Sequence, residues 1–116
     1  MHQRGVIHRD IKPENLMLSR NGVVKICDLG SARLLTSHTP MSEYVSTRWY
    51  RAPELLVNHQ NYGAEIDVWA IGCIFVELLT GKALFNGNNE LDMLRLILKM
   101  FNNSEALPLE LKEIFT

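Results

Sequence analysis

Asp10, Lys12 and Asn15 fall within six residues of one another in the run His8-Arg9-Asp10-Ile11-Lys12-Pro13-Glu14-Asn15, and Asp28-Leu29-Gly30 begins thirteen residues after Asn15. An acid, a cation, an amide and a second acid supply a proton acceptor, a phosphate contact and two oxygen ligands for a divalent cation. Phosphoryl transfer asks a protein for little beyond positioning and charge stabilisation, and this set offers both.

Each residue also has a plainer reading. Asp10 can accept a proton from an attacking hydroxyl or orient it; taken singly, it reads as a turn aspartate. Lys12 can hold a transferring phosphate as a point charge; taken singly, it reads as a solvated lysine. Asn15 and Asp28 suit magnesium, which takes few protein oxygens and keeps water and phosphate oxygens besides; the alternatives are a turn asparagine and a capping aspartate. Arg9 can pair with a phosphorylated residue or form a salt bridge to Glu14 or Asp28. Cys27, next to Asp28, reads as a small buried residue rather than a reactive thiol. His8 reads as a packed core histidine, and Trp49-Tyr50 as packing.

These residues need elements to hold them. Leu16-Met17-Leu18 and Val23-Val24-Lys25-Ile26-Cys27 read as two strands joined at Asn21-Gly22, a strong hairpin signal. If that pair forms a two-residue loop, Met17 faces Ile26 and Asn15 faces Asp28, with Met17 on the face of Asn15. A longer loop would shift the register and break the pairing. Residues 31–48 are polar and hydroxyl-rich and read as an extended loop, a length that is usually functional. Residues 64–80 predict a helix closed by Gly81, apolar on nearly every face and so expected at the centre of a protein, with Asp67 buried and hydrogen-bonded in its first turn. Residues 90–101 predict an amphipathic helix capped by Asn88 or Asn89, with a stripe of Leu91, Leu94, Ile97, Leu98 and Phe101.

Composition narrows the classes. The 116 residues allow one domain or part of one, and a net charge of -1 gives no basic surface for nucleic acid or anionic membrane. No signal peptide is evident, and the longest apolar run, residues 68–79, is too short to span a bilayer and is broken by Gly72 and Glu77. Cys27 and Cys73 form no CxxC pair, so a reduced intracellular compartment, cytoplasm or nucleus, is expected.

Together the motifs resemble the protein kinases. Residues 8–15 match the catalytic-loop pattern, Asp28-Leu29-Gly30 the metal-binding motif and Ala52-Pro53-Glu54 the end of the activation segment, all in order. Asp67-Val68-Trp69-Ala70-Ile71-Gly72 is similar to the buried helix that supports the loop. Lys12-Pro13-Glu14 resembles serine/threonine rather than tyrosine kinases. The run Ser42-Glu43-Tyr44-Val45-Ser46-Thr47-Arg48-Trp49-Tyr50-Arg51-Ala52-Pro53-Glu54 resembles the CMGC group of cyclin-dependent, MAP and male-germ-cell-associated kinases. The departures are Leu29 for the usual Phe and Ser42 for Thr in a Thr-x-Tyr site.

The resemblance implies a partial protein-kinase-like fold over residues 1–116: a mainly α C-lobe with a short β-hairpin carrying the catalytic and metal-binding loops. It implies ATP γ-phosphoryl transfer to Ser or Thr of protein substrates, with Asp10 as base, Lys12 on the γ-phosphate, and Asn15 and Asp28 on Mg2+. Met17 would floor the adenine pocket, and Thr47 would contact Asp10 and shape the substrate site. Tyr44 and Ser42 would be regulatory phosphosites, and Arg9 and Arg51 would meet their phosphate. His8, Glu54 and Asp67 would be structural. An activating kinase or docking partner is implied; nucleic acid and membrane are not. None of the seven glycines forms Gly-x-Gly-x-x-Gly, and no Val-Ala-Ile-Lys-like strand occurs. The N-lobe and C-terminal end, including an arginine for Glu54, are therefore expected to lie outside these residues. The fragment is expected to be inactive alone, to expose apolar helix surface and to aggregate. The alternative is a non-catalytic kinase-like module that binds partners or a complementary lobe.

Overall fold

The computed structural model describes residues 1–36 and 48–102. Four short strands and three helices make up the regular elements: β1 (Val6–Ile7), β2 (Leu16–Leu18), β3 (Val24–Ile26), β4 (Arg33–Leu34), α1 (Pro53–Leu56), α2 (Glu65–Thr80) and α3 (Glu90–Asn102). Single turns of 3₁₀ helix at Pro13–Asn15, Leu29–Ser31 and Arg48–Tyr50 carry much of the candidate chemistry. The strands form two separate antiparallel pairs, β1 with β4 and β2 with β3. The mainly helical architecture with a short hairpin is the one the sequence predicts.

The hairpin register is not. Leu16 pairs with Ile26, Met17 with Lys25 and Leu18 with Val24. The loop holds three residues, 20–22: Ser19 N donates to Val23 O at 2.9 Å, and Val23 N donates back to the Ser19 hydroxyl at 3.0 Å. Only Gly22 takes a positive φ, 80°, so Asn21-Gly22 is not the two-residue turn that needs both. The odd loop moves every pairing by one residue. Asn15 therefore lies opposite Cys27, whose amide donates to Asn15 O at 2.9 Å, and not opposite Asp28.

The pairing of β1 with β4 was invisible to local pattern, because each strand has two residues. It places Val6 against Leu34 and Ile7 against Arg33, inside the stretch expected to be loop. It thereby fixes both ends of the segment that holds the candidate site.

α2 begins one residue later than predicted and ends as predicted, with Gly81 in the left-handed region at φ 72° accepting no steric penalty. Its inner face, Ile66, Ala70, Cys73 and Ile74, joins Ile11, Tyr50, Leu56, Phe85, Met93 and Ile97 in the core. Burial pushes the Cys73 thiol up to about 12, so it stays protonated and packs as a small apolar group. The outer face is uncovered: Val68, Ile71, Phe75 and Leu78 are between 51% and 78% exposed. Residues three and four apart share a helix face, so these four make one apolar stripe. Trp69, beside the stripe, stacks on Phe85 with ring centroids 5.9 Å apart, and its indole N–H has no partner among the described residues.

α3 carries the predicted cap. Asn89 Oδ1 accepts from Asp92 N at 2.9 Å, and Asp92 Oδ2 accepts from Asn88 N at 3.0 Å. Met93 in its first turn is fully buried and receives the Gly87 amide on its sulfur at 3.3 Å.

Two outcomes follow. A Cβ on Gly87 would sit 2.7 Å from Met93 N and 2.8 Å from Met93 Cγ, and a helix backbone cannot yield. Gly87→Ala is expected to cost about 1–3 kcal/mol, read as a lowered urea midpoint; an unchanged midpoint would contradict this packing. Phe75→Lys is expected to lower dye binding by exposed apolar surface and light scattering, while shifting stability by no more than about 0.5 kcal/mol. Scattering that does not change would contradict the expectation that this stripe drives aggregation.

Candidate active site

Asp67 organises the site. Its carboxylate, 3% exposed in the first turn of α2, accepts from His8 N at 2.8 Å and Arg9 N at 2.9 Å. His2 Nε2 lies 2.7 Å from the same carboxylate. Arg9 needs this support, because its φ of 71° is left-handed, where a side chain with Cβ is strained. The helix N-terminus adds a favourable field for the carboxylate.

His8 is buried and spends both ring nitrogens. Nδ1 accepts from Asp10 N at 3.1 Å, so Nε2 carries the hydrogen and donates to Cys27 O at 2.9 Å. Arg9 Nε donates to Ser31 O at 2.7 Å and Nη1 to the Tyr62 hydroxyl at 2.8 Å. Two ties from the loop thus fall on either side of Asp28, one on Cys27 and one on Ser31. Asp28 itself has φ 58°, caps the turn Leu29–Ser31, and accepts from Gly30 N at 3.2 Å.

Asp10, Lys12 and Asn15 come together. Lys12 Nζ lies 3.5 Å from Asp10 Oδ2, and Asn15 Nδ2 donates to Asp10 O at 2.8 Å and to Asp10 Oδ2 at 3.2 Å. Asn15 is buried, with its amide nitrogen turned to Asp10, which leaves its carbonyl oxygen as the available ligand atom. An amide oxygen and a carboxylate are donors of the type a hard divalent cation takes. Among the described residues no group of three or more His, Cys, Asp or Glu gathers at a metal site.

Asp10, Lys12 and Arg51 line one cleft with Tyr50, Ala52 and Leu55. Burial, and then Arg48 nearby, hold the Arg51 guanidinium below its usual range. Met17 stands 63% exposed on the hairpin. Glu54 is half-buried and has no ion pair among the described residues. Ser42, Tyr44 and Thr47 lie outside the described residues.

The turn Arg48–Tyr50 is pinned between helices. Tyr50 OH donates to Glu77 Oε2 at 2.6 Å, Trp49 Nε1 to Gly87 O at 3.2 Å, and Arg48 Nε reaches Glu90 Oε1 at 3.1 Å. Burial first, and the bond to Glu77 second, raise the Tyr50 phenol above its ordinary value. A raised phenol means this stabilisation is complete below about pH 10 and is lost only as the phenol ionises in stronger alkali.

Sequence reading missed His2, Tyr62 and the Tyr50–Glu77 bond. Glu77 did carry a signal, since a lone acid inside an apolar helix must find a donor. Nothing in the pattern marked His2 or Tyr62.

The protein kinase domain model matches residues 1–114. The chain is 52% identical over 98 residues to mouse (Mus musculus) cyclin-dependent kinase-like 4, covering 84% of this chain and 29% of that protein. It is 52% identical over 103 residues to rabbit (Oryctolagus cuniculus) cyclin-dependent kinase-like 2, covering 88% of this chain and 18% of the relative. Against Arabidopsis thaliana mitogen-activated protein kinase 6 the identity is 49% over 110 residues, 95% of this chain and 28% of the relative. The chain spans less than a third of the length of these relatives. A catalytic loop anchored on a buried helix aspartate, joined to a family match over nearly every residue, places this chain in the protein kinase domain family, in its cyclin-dependent and MAP-kinase-like branch.

Proposed function

We propose that this chain carries the catalytic-loop half of a serine/threonine protein kinase, transferring the γ-phosphoryl group of ATP to a Ser or Thr hydroxyl of a protein substrate. The observation that carries the reading is the grouping of Lys12 and Asn15 on Asp10 within 3.5 Å, with Asp10 held by a loop tied to both sides of Asp28. Asp10 orients the acceptor hydroxyl and receives its proton. Lys12, next to Asp10, meets the transferring phosphoryl and offsets charge there. Asn15 and Asp28 would hold Mg2+, which would supply positive charge to offset that of the transferring phosphate. Met17, open on the hairpin, offers an apolar platform for a base. Thr47 is assigned to the substrate side of Asp10, Tyr44 and Ser42 to regulatory phosphorylation by an activating kinase, and Arg9 and Arg51 to pairing with that phosphate. Lys12-Pro13-Glu14 and the relatives' names support Ser/Thr specificity.

A second reading is favoured by the uncovered stripe on α2: a kinase-like module that binds a complementary lobe or partner without transferring phosphate. The aligned residues make up 29%, 18% and 28% of these relatives, in keeping with residues 1–116 being part of one kinase domain.

Transfer from radiolabelled ATP to a Ser/Thr peptide, by the chain alone and with a kinase N-terminal lobe supplied in trans, separates the two. The expected result is transfer in the complemented sample that falls about 10²–10⁴-fold in Asp10→Asn. Complementation without transfer would favour the binding module.

A further inference from the structure

We propose that Tyr62 is a positioning residue for Asp28, acting through the guanidinium of Arg9. The inference deepens the kinase reading above, in which Asp28 holds the divalent cation, and rests on it for that role.

Tyr62 is half-buried in the segment before α2, five residues ahead of Asp67. The two residues grip Arg9 at different points. Asp67 Oδ1 takes the backbone N–H at 2.9 Å, and the Tyr62 hydroxyl takes Nη1 at 2.8 Å. Nε of the same guanidinium donates to Ser31 O at 2.7 Å. Guanidinium donors are fixed in one plane, so holding Nη1 sets the direction in which Nε points. Ser31 ends the turn Leu29–Ser31, and Asp28 is the cap of that turn. The hydroxyl, the guanidinium, the Ser31 carbonyl and Asp28 therefore form one mechanical chain from the start of α2 to the metal ligand.

The hydroxyl is the atom through which Tyr62 joins that chain. Arg9 is 7% exposed, and in such a place the loss of one acceptor shifts the guanidinium toward its remaining partners. Because the group is planar, the shift changes the direction in which Nε meets Ser31. Phenylalanine would fill the space of the ring and leave the hydroxyl out, so the two contributions can be separated. The Asp67 bonds do not pass through Tyr62, so the loop backbone at His8 and Arg9 stays anchored when the hydroxyl is lost. The effect should fall on the Asp28 side alone. Partners that orient a ligand one step removed from the metal commonly matter nearly as much as the ligand itself.

The experiment compares wild type with Tyr62→Phe in the 116-residue chain, by hydrogen exchange in NMR and by Mn2+ titration using water-proton relaxation. Arg9 Nε–H and the Ala32 amide, which donates to Leu29 O at 3.0 Å, are expected to exchange about tenfold faster or more in the variant. The amides of His8 and Arg9 should keep their wild-type rates. Mn2+ affinity should fall about tenfold. Unchanged exchange at Arg9 Nε–H and Ala32 overturns the proposal, and so does equal acceleration at His8 and Arg9, which would be general loosening. In an Arg9→Lys background, removing the hydroxyl should add nothing; a full second effect would mean that Tyr62 acts by another route. If wild type binds no Mn2+, the metal assignment of the kinase reading fails, while the exchange rates still decide whether Tyr62 positions the Asp28 turn.

Discussion

One carboxylate carries the site. Asp67 lies in the first turn of the helix at the centre of the core and accepts two consecutive backbone N–H groups from a loop some sixty positions earlier. A buried carboxylate is tolerated only when its lone pairs are filled, and a left-handed Arg9 persists only when its surroundings hold it. Each solves the other's difficulty. The strained loop gives the acid its donors, and the acid keeps the loop in the one conformation that brings Asp10 beside Lys12 and Asn15.

From that anchor much of the order spreads through polar side chains. His8 uses one ring nitrogen on the Asp10 amide and the other on Cys27, and Arg9 spans Ser31 and Tyr62. Beyond Leu16, which packs against the core, the apolar residues of the hairpin are exposed, so its strands are placed largely by these bonds and by its turn. Apolar packing adds to this at Ile11 and Tyr50, which lie in the core beside the same cleft, and Tyr50 donates to Glu77 to tie the turn Arg48–Tyr50 to α2.

What was legible in the sequence divides along the same line. The two long helices, their caps and the buried state of Asp67 were readable, because period, Gly81 and the Asn89–Asp92 arrangement are local signals. The motif residues were readable as a set through their spacing. The hairpin register was not, because the choice between a two- and a three-residue loop turned on a hydroxyl: Ser19 accepts from Val23 N and closes the longer loop. Nor was β1 against β4, since a pairing of two residues leaves no periodicity to read. Tyr62 and His2 were missed for a related reason. Their partners are distant in the chain, and a single tyrosine or histidine carries no spacing.

The separation between Asp67 and the loop it holds bears on how the molecule comes to exist. His8 and Arg9 precede their anchor by 59 and 58 residues, so the contact closes a long loop of chain. Such closure costs entropy before any bond returns it, and contacts of this reach form slowly. During synthesis the residues that would do chemistry emerge first, and they cannot be held in order until the start of α2 has followed them. A growing chain therefore passes through a stage in which the motif is complete as sequence and absent as geometry, and the moment it gains shape is set by the arrival of one aspartate.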